Sequence, residues 1–159
     1  MTGVRPDLQR HVESALRPLR VSWSLMLVAS LAWAGLGLFA APVVSSSDPP
    51  ELAPSSKVLA VLGVVSAVAT LWVDRKVITA KRMAALVPVP DHALVLRHLL
   101  AGHLVLWSFA EVPALFGFAQ LLLGGSLGIH LALCAASLSL LALLMPTRAR
   151  ITGRMETVM

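Results

Sequence analysis

The sequence predicts an all-α integral membrane protein with four transmembrane helices and both chain ends on the cytoplasmic side. Three observations predict it. Hydrophobic residues fill 57% of the 159 positions and charged residues only 13%, with a mean hydropathy of +0.82, more apolar surface than a soluble domain of this length can bury. Four apolar segments approach the length of about 20 residues that crosses a bilayer core. The basic residues cluster at alternate junctions between those segments, as the positive-inside rule requires of a multi-pass protein.

Taken in order, residues 1–20 form a cytoplasmic lead-in. Leu8, Val12, Leu16 and Leu19 recur there at helical spacing against Arg10, Glu13 and Arg17. That pattern fits an amphipathic helix on the inner surface, or an ordinary solvated approach to the first span. A transmembrane domain covers residues 21–146, with spans at about 21–43, 58–73, 99–123 and 127–145. The first run is too long for the apolar part of a signal peptide. The stretch SSSDPPELAPSS is a loop, because Pro49, Pro50 and Pro54 interrupt a helix. Val77 and Ile78, beyond Asp74-Arg75-Lys76, extend the second helix past the membrane. Pro88 and Pro90 break the inner loop, and Asp91 is a candidate N-cap for the third helix. Gly124-Gly125-Ser126 closes spans three and four into a tight hairpin, and residues 147–159 form a basic tail.

Charge sets the expected orientation. Arg5, Arg10, Arg17 and Arg20 precede span one; Arg75, Lys76, Lys81, Arg82 and Arg97 lie between spans two and three; Arg148, Arg150 and Arg154 follow span four. The other two loops hold only Lys57. All three clusters therefore fall on one face, which places both termini inside and the chain in the inner (cytoplasmic) membrane. Anionic lipid headgroups account for the net charge of +5 better than nucleic acid does. The single cysteine, Cys134, leaves no intrachain disulfide framework.

An internal duplication into two helical hairpins is a further expectation. SLAWAGLGLF from Ser30 resembles SFAEVPALFGF from Ser108, and Ile78-Thr79-Ala80-Lys81 matches Ile151-Thr152-Gly153-Arg154. Both halves run outward and back, so the repeat is parallel. Trp33 stands in the first copy where Glu111 stands in the second.

Glu111 is the leading candidate functional residue. It lies near the centre of span three, where an ionised side chain costs roughly 2.5–3.5 kcal/mol on insertion scales. No lysine or arginine occupies the middle of any span, so the chain offers no intramembrane ion pair. A neutral carboxyl, or one satisfied by hydroxyls and backbone, is the expected state. Ser137 and Ser139 are the candidate supporting hydroxyls, with Ser30, Ser66 and Thr70 at comparable depth. Pro113 removes a backbone donor just past the acid, loosening the helix into a kink and freeing a carbonyl near Phe109. His103, two turns inward, is either a proton relay or an interfacial residue. Gln120 and His130 are expected to form an interhelical hydrogen bond across the hairpin. His92 and His98 lack further ligands at metal spacing, and there is no nucleophile–base pair, phosphate loop or dinucleotide fingerprint. No enzyme activity, metal or cofactor is expected.

The stretch AEVPALFGFAQLLLGG, Ala110 to Gly125, resembles the carboxylate helix of the rotary ATP synthase proteolipid, subunit c. The resemblance implies that Glu111 is an ion-binding carboxylate, with Phe116-Gly117-Phe118 in the aromatic–glycine position that follows it. It also implies a cytoplasmic loop between spans two and three. The likeness is local: about 16 residues match closely, and span two has only Gly63 where the family's first helix is glycine-rich.

Two functions follow as expectations. In one, Glu111 binds a proton or cation, with Ser137, Ser139 and His103 as support, in a homo-oligomer or with other membrane-protein subunits. In the other, the protein is a structural or accessory subunit, and Glu111 is a hydrogen-bonding anchor between helices. Small residues such as Gly35, Gly37, Gly63 and Ala67 suit close helix packing in either case.

Overall fold

The computed structural model describes residues 6–44, 54–76, 92–149 and 151–152. They form four helices: α1 (Pro6–Val44), α2 (Pro54–Lys76), α3 (His92–Leu122) and α4 (Leu127–Leu143), and among the described residues there is no strand. Three of them, over Leu16–Val43, Pro54–Arg75 and Leu100–Leu122, are long and apolar enough to cross a membrane. The chain is therefore a multi-pass membrane protein. α4 is apolar but has 17 residues, about 26 Å at 1.5 Å per residue.

The distribution of side chains is that of a protein solvated by lipid. Large apolar residues point outward, led by Phe39 at 84% exposure and Val43 at 74%, while Ser30, Thr70, His103, Gln120, His130 and Ser137 are buried. In hydrocarbon, apolar surface gains nothing by burial, whereas a polar group needs a partner inside the bundle. α3 and α4 form the centre. α3 packs extensively on each of the other helices, while α1 and α2 make no extensive contact with each other.

α1 is one continuous helix of 39 residues that runs through Pro18 and Pro42. Residues 6–20 of the lead-in are thus continuous with span one. Its Leu16 and Leu19 are buried in a cluster with Leu106, Trp107, Leu140, Leu141, Leu144 and Ile151, so part of the apolar stripe faces the protein's own C-terminal segment. Glu13 and Arg148 meet there at 3.1 Å, which brings the start of α1 and the segment after α4 to the same end of the bundle. α2 begins at Pro54, where proline is tolerated because the first-turn N–H has no helical acceptor. α3 begins at His92, seven residues before the expected span and directly after Asp91. The expected cap at Asp91, the Val77-Ile78 extension, the Pro88–Pro90 break and most of the repeated basic boxes lie outside the described residues.

The α3–α4 turn follows from its glycines. Gly124 has φ 79°, a left-handed conformation that a side chain would oppose. Its N–H donates to Leu121 O at 3.1 Å and that of Gly125 to Gln120 O at 2.8 Å, the paired bonds of a Schellman termination. Ser126 then caps α4, accepting from Gly128 N at 3.1 Å. At the other end, two indoles complete α4: Trp23 Nε1 donates to Leu141 O at 2.8 Å, and Trp107 Nε1 to Leu144 O at 3.1 Å. They serve last-turn carbonyls that have no helical donor.

Candidate functional site

The site is built where α1, α3 and α4 meet. Ser137 of α4 donates its hydroxyl to Ala110 O of α3 at 2.7 Å and lies 3.2 Å from the Ser30 hydroxyl of α1. Two turns along, the His130 ring of α4 lies against Gly37 of α1 and Gly117 of α3. α1 and α3 therefore rise together from 30 to 37 and from 110 to 117, while α4 runs antiparallel from 137 back to 130.

Glu111 is the central residue of the Leu100–Leu122 span, with eleven residues on either side. Its Oε1 is buried and, among the described residues, has no hydrogen-bond partner. The hydroxyls expected at its depth are committed elsewhere: Ser137 and Ser30 as above, Ser66 to Gly63 O at 2.7 Å, and Thr70 to Ser66 O at 2.8 Å. Ser139 does not join the site. It is exposed, and its hydroxyl donates to Ala135 O of its own helix at 2.7 Å. The reason is rotation: residues two apart on a helix point about 200° apart, so α4 can turn only one of Ser137 and Ser139 toward α3.

Seven residues beyond Glu111, and hence on the same side of α3, Phe118 packs on Trp33 of α1 with ring centres 5.4 Å apart. It also meets His130 of α4 edge-on at 6.3 Å. Pro113 is fully buried inside α3, which continues through it. His103 is 2% exposed and lies edge-on to Trp107 at 5.8 Å, so it belongs to the bundle interior.

Gln120 and His130 do not form the expected bond. The Gln120 amide folds over the turn, Nε2 donating to Ser126 O at 2.9 Å, while Oε1 stays buried with no donor among the described residues. The Schellman turn brings the Ser126 carbonyl within reach of α3's last turn. His130 is meanwhile rotated into the seam between Gly37 and Gly117. Among the described residues, the only hydrogen-bonding neighbour of its ring nitrogens is Cys134 Sγ, at 3.7 and 3.8 Å. Sequence reasoning missed this seam, although Gly37 and the lone buried-type histidine of α4 were both visible signals for it.

No family model, curated protein sequence or solved structure matches this chain. Chemically, the site presents a carboxyl at mid-span with spare hydrogen-bonding capacity and no lysine or arginine anywhere between Arg97 and Arg148. Among the described residues, no three His, Cys, Asp or Glu side chains gather as a metal site.

Proposed function

We propose that this protein spans the inner membrane four times, both termini cytoplasmic, and that its Glu111 carboxyl takes up and releases a proton or binds a cation within an oligomer or larger membrane complex. The observation that carries the proposal is the buried, unpartnered Oε1 of Glu111 at the middle of its span. An anchor between this chain's own helices would hold a partner. A buried carboxyl oxygen that accepts no donor within the bundle has capacity left for a proton or a cation. The fourth span is supported by the return of α4 to the end that holds Leu16 and Leu19: if α3 crosses, α4 crosses back. Orientation is supported by the three basic clusters.

Glu111→Gln and Glu111→Leu, reconstituted in vesicles with a pH-sensitive dye, separate the two functions. Glutamine keeps hydrogen-bonding capacity but has no titrating proton. Loss of proton uptake in both variants, with assembly intact, supports the proposal. Wild-type behaviour of Glu111→Gln, with failed assembly of Glu111→Leu, supports the accessory-subunit reading, in which Glu111 anchors a neighbouring subunit.

A further inference from the structure

The geometry points to His130 as a second proton-binding group: the acceptor for the Glu111 proton in the half of the bundle nearest the α3–α4 turn, with the Phe118 ring standing between the two. This rests on the Glu111 proposal above and adds a direction and a gate to it.

Three observations combine. His130 is fully buried, yet among the described residues its ring nitrogens find only the thiol of Cys134. A seam that needed only to be filled would be served by an aliphatic side chain without an imidazole's polar atoms. The ring is held at a fixed depth, pressed against Gly37 and Gly117. Gly117 is six residues from Glu111, about 9 Å along α3. Phe118 lies on the Glu111 side of α3 and meets the His130 ring edge-on, with ring centres 6.3 Å apart, which links the face of α3 that carries Glu111 to the imidazole.

The surroundings of His130 leave few competing groups. α1 presents Gly37, α3 presents Gly117 and Phe118, and α4 supplies Cys134. Residues 21–44 of α1 and 58–73 of α2 contain no titratable side chain. Cys134 is the one other titratable neighbour the contacts give.

In the step, the O–H bond of the Glu111 acid breaks and an N–H bond forms on the imidazole, leaving a carboxylate and an imidazolium. The two groups sit at different depths along α3, so in this step water bridges the interval and the Phe118 ring swings aside to admit it. Reversal resets both groups. Beyond His130, toward the turn, the undonated Oε1 of Gln120 is the next buried acceptor.

The test compares proton flux into vesicles for wild type, Glu111→Gln, His130→Gln and Phe118→Ala. The expected result is a loss of about tenfold or more in His130→Gln and a severalfold gain in Phe118→Ala. Full flux in a folded His130→Gln protein overturns the inference, and leaves the Glu111 proposal standing if Glu111→Gln is inactive. If His130→Gln does not assemble, nitrogen-15 spectra of His130 in wild-type nanodiscs decide. A ring that gains a proton as the pH falls, at a pH that moves in Glu111→Gln, supports the inference. A ring held in one neutral tautomer throughout overturns it.

Discussion

The Ser137 hydroxyl donates to the carbonyl oxygen of Ala110 at 2.7 Å, one residue before Glu111, and so holds the acid's turn of helix while leaving its carboxyl alone. With Ser30 at 3.2 Å from Ser137, the polar groups at mid-depth tie three helices together without touching the acid. Ser137→Ala removes both contacts. It is expected to destabilise the bundle by about 0.6–1.7 kcal/mol, between the average and the largest value for hydrogen bonds between membrane helices. Ser139→Ala, which loses only a bond to its own helix, leaves stability unchanged. Thermal unfolding in detergent compares them.

Gly37 and Gly35 form a matched pair. A Cβ at Gly37 would strike the His130 ring, whereas one at Gly35 meets nothing within 4 Å. Gly37→Ala is expected to destabilise by roughly 1–3 kcal/mol through overpacking. Gly35→Ala is neutral or slightly stabilising, since alanine is the better helix former. Equal effects in the same unfolding assay would argue against the seam.

Trp107→Phe keeps an aromatic ring but removes the donor to Leu144 O. A loss of about 0.5–1.5 kcal/mol is expected, along with faster amide exchange in the last turn of α4. The Glu13–Arg148 pair contrasts with it. Its side chains are 61% and 53% exposed, and Arg148→Ala should change stability by less than about 1 kcal/mol.

Topology has its own test. A cysteine at Ser46, between α1 and α2 in the sequence, is expected to react with a membrane-impermeant maleimide from outside intact cells. Reaction only after the membrane is opened would reverse the orientation.

Much of the fold could be read from the apolar runs, because a lipid-solvated helix must be continuously apolar and about 20 residues long. Glu111 stood out for the same reason: a lone acid in such a run is costly. Gly124-Gly125-Ser126 also announced its turn. What the pattern could not supply was rotation about each helix axis. Apolar residues cover nearly every side of α3, so no stripe marks which face meets α1 or α4. This is why Ser139 and Ser137 looked equivalent, and why Gln120 was paired with His130 rather than with Ser126 O. Continuity of α1 through Pro18 was hidden too, since the proline and its flanking arginines resemble a boundary. Its reason is tertiary: Leu16 and Leu19 pack on Leu144 and Ile151.

Labelling of Glu111 by a hydrophobic carbodiimide in native membranes, read by mass spectrometry across pH, tests the central claim most directly, because such reagents attack a protonated carboxyl in an apolar setting. The expected result is modification of Glu111 at neutral pH, declining as the medium is made alkaline and absent from Glu111→Gln. An unmodified Glu111 at every pH, in protein that is folded and membrane-embedded, would contradict a proton-exchanging carboxyl at the centre of α3.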